Sequence, residues 1–455
     1  MTEGRPQDQA APQAVAAADA QDNAQAGADT GGDAPGQMAS ASAPLGVARE
    51  EVSAGVEQVD VAIIGGGLVG ASLGVALSRL IHDRGLRVAV IEASPMSAAT
   101  APASDWQPSF DARASAIAAG TAAHFETLGV WSAMAPQASP ISLIHVSEKG
   151  RLGATRLRAQ EMGVDALGYV IPNAWMGQVL HHRLAELPLD WHCPATVEHI
   201  SACAAGHRLV LSSGRTLQAG LTVMADGGRS GLKEALGIES DATPYEQVAL
   251  IANVAVSRPH GGVAYERFTR EGPMALLPLP GQSMELVWTH ARESEQRRLA
   301  LSDRGFLDEL QRAFGDRAGA FVKVGKRHVY PLSLVTARET TRPGLAVMGN
   351  AAHALHPVAG QGFNLALRGV MDLVEAIDRG LEDGHAPGSS DTLSAFERRR
   401  QADQRNVVRF SDGLIRLFGI DQPLLSHARA AGLIGLNLSG PLRGTLTRRA
   451  MGIER

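Results

Sequence analysis

Cysteine is nearly missing from this chain: Cys193 and Cys203 are the whole complement in 455 residues. Two thiols cannot build a disulfide framework, and their spacing is not that of a zinc site. A reducing, cytosolic compartment is the simplest setting. Aromatic residues are scarce too, at 10 Phe, 5 Trp and 4 Tyr, which argues against a base-stacking platform. Basic charge is not in excess, since 42 Lys and Arg face 47 Asp and Glu for a net charge of −5, which argues against a dedicated nucleic-acid binder. No apolar run approaches the roughly 18 residues of a membrane-spanning helix. There is no Gly-x-Ser-x-Gly elbow of a serine hydrolase and no P-loop Lys-Ser/Thr. Glycine is what the chain has in plenty, 50 of 455 residues, about 11% against a usual share of about 7%.

The length predicts two or three domains' worth of core. Residues 1–56 are rich in Ala, Gln, Asp, Gly and Pro, with no aromatic residue and no apolar period. Such a stretch cannot bury enough surface to offset the entropy of ordering, and a disordered tail is expected. Its acids, Asp19, Asp22, Asp29 and Asp33, outnumber Arg5 and Arg49, unlike a mitochondrial transit peptide. Order should begin at the apolar run 59–64, of buried-strand type. Apolar residues at helical spacing follow (Leu68, Leu73, Ala76, Leu77, Leu80), then a second short strand over 87–91. That is a βαβ unit.

The alternating, Gly- and Pro-punctuated stretches 141–158 and 248–290 predict an antiparallel sheet. Ser302 is placed to cap a helix through Phe306, Leu310 and Phe314. Residues 345–348 read as another buried strand before a glycine loop and a long helix from about Gly362. From Phe396 onward 11 arginines stand against five acids, interleaved with leucine and isoleucine. This pattern suits either a surface helix on anionic lipid or an ordinary docked C-terminal bundle.

The glycine excess concentrates where chemistry is expected. In Gly65-Gly66-Gly67-Leu68-Val69-Gly70, Gly65 permits the tight turn, Gly67 lets the backbone approach a pyrophosphate, and Gly70 lets helix pack on sheet. The anion would rest on free N–H groups at the helix N-terminus. Glu92 ends the next strand, 22 residues beyond Gly70, where an acid accepts both ribose hydroxyls and repels a 2′-phosphate. The adenosine of FAD or NAD therefore fits, and that of NADP does not. His353 and His356 could suggest a metal pair, but no third or fourth ligand stands near, and a loop or cofactor-lining role is favoured. His181 and His182 lie on an apolar-periodic helix from about Asn173, one of them facing solvent.

Two further segments decide between the dinucleotides. Met224-Ala225-Asp226-Gly227-Gly228-Arg229-Ser230 follows a strand over 217–224. Gly349-Asn350-Ala351-Ala352-His353-Ala354-Leu355-His356-Pro357 runs on through Gly360-Gln361-Gly362-Phe363-Asn364. With Gly65–Gly70 these resemble the three fingerprints of the group A flavoprotein aromatic hydroxylases. The third is similar in detail to the 2-polyprenyl-6-methoxyphenol hydroxylases of ubiquinone biosynthesis, which typically carry Asn where Asn350 stands. Phe110-Asp111-Ala112-Arg113-Ala114 and Asp412-Gly413-Leu414-Ile415-Arg416-Leu417-Phe418 also resemble that family's flanks. The resemblance covers about residues 57–453.

The resemblance implies an α/β fold like that of p-hydroxybenzoate hydroxylase. A Rossmann-like FAD-binding domain (57–140, 166–241, 331–395) is interrupted by an antiparallel substrate sheet (141–165, 242–330) and followed by a helical region (396–455). It implies FAD as cofactor, held by Gly65, Gly67, Gly70, Glu92, Arg113, Asp226, Asn350, Pro357, Gly360, Gln361, Gly362 and Asn364. Asn350 would hold the ribityl chain. The helix opened by Gly360-Gln361-Gly362 would face the flavin N1 and C2 carbonyl, where a helix N-terminus stabilises negative charge. Asp226 would serve the pyrophosphate region and NAD(P)H binding, or simply form an Asx-turn before Gly227. Arg113 would lie near the flavin and its reductant, or be a surface arginine.

The implied reaction uses NAD(P)H and O2 to hydroxylate 2-polyprenyl-6-methoxyphenol toward the 1,4-benzoquinol, with water as second product. No catalytic base and no metal site emerge from the sequence. Implied partners are the lipophilic prenylated phenol and either a membrane surface or other enzymes of quinone synthesis, with a cytoplasmic location on the inner face of the membrane. Phe268, Leu276, Leu277 and Trp288 lie on the pocket strands, with core packing the ordinary role of each. Two residues depart from the family: Lys233 stands near a usual Arg, and Gly369 follows Arg368 where Asp is common. Alternatives are another ring position, a soluble aromatic, or a non-catalytic flavin-bearing scaffold.

Overall fold

The computed structural model describes residues 55–95, 113–354, 360–420 and 422–453. Most of the expected tail (1–56), with Phe110, Asp111, Ala112, His356 and Pro357, lies outside them.

Strand β1 (Val56–Ile64) starts three residues before the apolar run, and its C-terminal half is buried on both faces. That is the pattern of a strand inside a parallel sheet. It pairs in parallel with β2 (Val88–Ile91) on one side and with Thr216–Met224 on the other. Leu345–Val347 joins Thr216–Met224, also in parallel. Strands from three distant stretches thus form one sheet, and all three predicted motifs leave from the C-terminal ends of its neighbouring strands, where α/β sheets bind ligands. Helices α1 (Leu68–Ala76), Asn173–Ala185 and Gln361–Glu382 cover one face. Their apolar side chains meet Ile63, Val90 and Val223 in a single core.

A second, nine-stranded sheet is built from Leu143–Glu148, Ala154–Arg158, the strands between Ser240 and Ala337, and His353–Ala354. It is not wholly antiparallel as expected. Val263–Phe268 runs parallel to Leu143–Glu148, a pairing made across more than a hundred residues. The boundary expected at residue 330 falls inside the strand His328–Ala337, which continues this sheet, and His353–Ala354 from the third motif is its edge. A three-stranded sheet, unforeseen in the sequence, pairs Gly168–Pro172 with Ala114–Ala118 and Ser139–Ile141. Its Ala114, Ala116, Ile141 and Val170 pack with Ala264 and Leu277 of the large sheet.

Behind the large sheet lies the helix Asp303–Phe314, capped as expected by Ser302, whose hydroxyl accepts from the Gly305 N–H at 3.2 Å. Its Phe306, Leu310 and Phe314 pack on Leu250, Val254, Leu276, Leu286 and Trp288. The C-terminal region is helical over Ser390–Gly419, Pro423–Leu438 and Gly440–Ala450. No helix among the described residues is long and apolar enough to cross a membrane.

Candidate active site

In the first glycine motif the tight turn at Gly65 and the close approach at Gly70 are both present. Gly65 has φ +101°, and a Cβ there would stand 2.7 Å from the Ala225 carbonyl oxygen, so only glycine fits. A Cβ on Gly70 would drive into the Gly65 carbonyl. Gly67, the N-cap of α1, is different: it is exposed, and a Cβ there meets nothing within 4 Å. Its smallness serves no protein neighbour, and an open N–H cradle at a helix start suits a diphosphate.

Glu92 is already oriented. Its Oε2 accepts from the Gly66 N–H at 2.6 Å and its Oε1 from the Ser94 N–H at 2.7 Å. Each oxygen retains a lone pair for a ribose hydroxyl. Gly66 is held on its other side too, because its carbonyl accepts from His181 Nε2 at 2.7 Å. His181 itself sits edge-on to Trp191. Neither His181 nor its neighbour is fully solvent-facing, since both are half-buried. The bracing role of His181 was missed because it depends on contact between helix Asn173–Ala185 and the glycine turn, which spacing does not reveal.

Asp226 forms the expected Asx-turn, accepting from the Gly228 N–H at 3.0 Å and the Ser230 N–H at 3.1 Å. Lys233 is buried and donates to Ser240 Oγ at 2.7 Å and to the Ala351 carbonyl at 3.4 Å. It therefore ties the second motif to the third. Asn350 sits on the turn Gly349–Ala351, exposed, with no side-chain hydrogen bond to the described residues. Gly349 beside it rests over Val69, so the third motif lies against α1.

Gly360, at φ +60°, is the N-cap of Gln361–Glu382, and a Cβ there would be 3.2 Å from Ala116. A Cβ on Gly362 would meet nothing within 4 Å. Asn364 requires a correction. Its side chain is buried, with Oδ1 accepting from the Ala118 N–H (2.8 Å) and Thr121 Oγ1 (2.7 Å). Its Nδ2 donates to the carbonyls of Ala116 (3.1 Å) and Gly360 (2.8 Å). All four hydrogen-bonding positions of the amide are used, so Asn364 fixes the helix start against the 114–118 strand and has nothing left for a cofactor.

Arg113 is exposed, donates to the Tyr330 hydroxyl at 3.1 Å, and lies with its guanidinium carbon 4.9 Å from that ring's centroid. His353 is pulled down to about 4 by burial first and the Arg400 charge second, so it is neutral at physiological pH. Gly369 has a simple cause: a Cβ there would stand 3.0 Å from the Arg400 guanidinium carbon. Arg400 fills that space as part of a buried cluster in which Asp403 also takes Arg368 at 2.9 and 3.0 Å.

Strand parity sorts the residues on the expected pocket strands. Leu276 and Trp288 point into the helix-backed core, and buried Phe268 stacks on Phe418 at 3.7 Å. Phe268, in register with Pro273, shares the face of Leu277 but is covered by Phe418, whereas Leu277 is turned to the small sheet and Ala116, in register with Glu285 and near half-buried Ala275, Val287 and Ile251. An apolar, partly open surface thus faces the third motif. Glu285 shares it, 3% exposed and pushed up to about 7, mainly by burial.

Three glycine-lined turns on one sheet, facing a second sheet that roofs them, define an FAD-dependent aromatic monooxygenase. Residues 58–411 match the family described as FAD binding domain, and the chain belongs to it. It is similar to the ubiquinone hydroxylase UbiL of Rhodospirillum rubrum, at 35% identity over 92% of this chain and 94% of that protein. It is also similar to the 3-demethoxyubiquinol 3-hydroxylase of Escherichia coli K12, at 30% identity over 87% of this chain and 99% of that one. The fold is that of the p-nitrophenol 4-monooxygenase PnpA from Pseudomonas putida, with a TM-score of 0.71 at 18% identity over 88% of this chain and all of that one. These relatives place the chain among the FAD hydroxylases of ubiquinone biosynthesis. FAD fits the residues present: an open backbone cradle at Gly67, a pre-oriented Glu92, and an unengaged Asn350.

Proposed function

We propose that the enzyme hydroxylates a prenylated phenol, converting 2-polyprenyl-6-methoxyphenol to the corresponding 1,4-benzoquinol, with NAD(P)H and O2. The observation that carries this reading is the partly open apolar face of Ile251, Ala275, Leu277 and Val287 turned toward the third glycine motif. A lipophilic ring would be desolvated there, and keeping water out is the protein's main task in oxygen transfer. Bound FAD supplies the redox chemistry, taking electrons from NAD(P)H and activating O2.

The residues divide the cofactor between them. Glu92 accepts from the adenosine ribose, the Gly67 backbone carries the diphosphate, and Asp226 shapes the turn beside it. Asn350 pairs with the ribityl hydroxyls. Gly360, Gln361 and Gly362 present a helix N-terminus to the ring, and Arg113 stands at the reductant's side. Asn364 and His181 are positioning residues for these turns. Pro357 keeps its expected place beside the flavin on the resemblance alone.

The C-terminal helices give the lipid tail a place to go. The helix Pro423–Leu438 holds one charged residue, Arg429, and turns it inward. Arg429 donates to Glu148 at 2.7 Å and to the Leu417 and Ile420 carbonyls at 3.0 and 2.9 Å, closing the end of the preceding helix. The outer side of the helix carries Leu424 (88% exposed), Ala428, Ala431, Ile434 and Leu438 (78%), with no charge. Among the described residues 405–453 seven arginines stand against Asp412. Apolar side chains in a basic surround match the surface of an anionic membrane, which supports a peripheral place on the inner face of the cytoplasmic membrane.

The test is direct. A short-chain 2-prenyl-6-methoxyphenol should raise NAD(P)H consumption by the yellow holoenzyme, with one atom of isotope-labelled O2 in the product. Bound FAD that never turns over with any phenol would favour a scaffold. Flotation with anionic vesicles should fall several-fold in Leu424→Glu/Leu438→Glu, and equal flotation would remove the membrane role.

A further inference from the structure

Strand Ser283–Ala291 carries one carboxylate, Glu285, between Met284 and Leu286. A carboxylate this deeply buried is costly unless several donors serve it. Glu285 has one: Oε1 accepts from the Ala114 N–H at 2.9 Å, and no further hydrogen bond or ion pair joins it to the described residues. Among the described residues Arg113 is the charged group acting on it, and that guanidinium is directed at Tyr330. Neighbouring strands on the same face offer uncharged Asn253 opposite and Leu277 beside it, with Glu266 one strand further on. The acceptor capacity of Oε2 is therefore unmatched among the described residues.

The location gives that capacity a purpose. Ala114, the donor to Glu285, is two residues from Ala116, which touches Gly360 and is bonded by Asn364 at the start of Gln361–Glu382. The carboxylate thus stands between the helix N-terminus assigned to the flavin ring and the half-open apolar face.

We propose that Glu285 receives the ring hydroxyl of the phenolic substrate at Oε2 and so fixes which ring carbon is presented to the cofactor. This rests on the monooxygenase reading above. The phenol O–H donates to Oε2. As the new ring carbon–oxygen bond forms with oxygen supplied by O2 and FAD, the phenol proton passes to Oε2 and the ring becomes a dienone. Loss of the hydrogen at the attacked carbon, as a proton to water, restores aromaticity while Oε2 returns its proton to the original oxygen. No electrons pass through Glu285.

The test uses the FAD-loaded enzyme and reads binding from the shift of the flavin absorption band, with 2-prenyl-6-methoxyphenol and its O-methyl ether as probes. Burial pushes Glu285 up to about 7 against the opposing pull of Arg113 and the Ala114 N–H, so its ionised fraction rises about tenfold from pH 6 to pH 8. The phenol Kd of the wild type should fall by about that factor over the interval, and the ether Kd should stay flat. Glu285→Gln keeps an oxygen for Ala114 and should lose the pH dependence, with the phenol Kd raised about tenfold at pH 8 and the ether unchanged. Glu285→Ser, too short to reach, should behave alike if Gln disturbs folding. A variant that keeps the wild-type pH dependence and the preference for phenol over ether overturns the proposal and leaves the monooxygenase reading standing. A wild type indifferent to both probes overturns both.

Discussion

The two faces of the nine-stranded sheet differ in what they are built against. On one, Leu250, Val254, Leu276, Leu286 and Trp288 are sealed by Phe306, Leu310 and Phe314. On the other, Ile251, Ala275, Leu277 and Val287 are left half-exposed around a buried acid. The residue types are much the same, and neighbouring positions on one strand alternate between the two fates. The difference lies in what covers each face: a helix on one side, and on the other a small sheet that leaves part of the surface open, where cofactor and substrate are proposed to bind. The first glycine turn repeats the division on a smaller scale, since a Cβ at Gly70 would strike a protein carbonyl and one at Gly67 would meet no protein atom.

The sharpest way to test that division is within the glycine turn. A Cβ at Gly67 meets no protein atom within 4 Å, so Gly67→Val should fold and lose essentially all bound FAD, read from the visible absorbance of the purified protein. Gly70→Ala should lose folded protein as well as colour. If Gly67→Val keeps full FAD, the assignment of the turn fails.

Next in size is the contrast between faces. Phe306→Ala empties a fully buried aromatic site and should cost about 3–5 kcal/mol in urea unfolding, with the phenol Kd unchanged in the molecules that remain folded. Val287→Ala on the open face should cost about 1 kcal/mol or less and weaken phenol binding. Equal stability losses would erase the distinction.

The smallest effect concerns the ion cluster that pins the sealed face. Glu309 is held down to about 2, first by its hydrogen bond from Arg297 and then by Arg298, and Arg298 lies over Trp288 at 4.4 Å. A carboxylate with a lowered folded pKa stabilises above its unfolded value and loses that contribution as pH falls. Glu309→Gln should therefore lower the urea midpoint at pH 6, with the gap to wild type closing as pH falls from about 4.5 toward 2. A gap that widens in acid would reverse the sign.

Local features of this fold were legible and long-range ones were not. The βαβ unit, the Ser302 cap and the three turns each declare themselves within a few consecutive residues. The parallel pairing of Val263–Phe268 with Leu143–Glu148 has no local signature. Alternation in Met284-Glu285-Leu286-Val287-Trp288 announced two faces but not which would be backed by a helix, so Trp288 stood with the pocket candidates. Glu285 did leave a signal, an acid inside an otherwise apolar strand. The role of Asn364 left none, because three of the four bonds that saturate its amide come from residues more than 240 positions away, a property of the folded chain.

That amide sets an order on assembly. The first glycine turn has its braces once Glu92, His181 and Ala225 are made, but the 114–118 strand and the start of Gln361–Glu382 acquire each other only when Asn364 has left the ribosome. A nascent chain halted short of that point owns half a berth for its coenzyme. Fragments ending before residue 364 should therefore emerge from cells without colour.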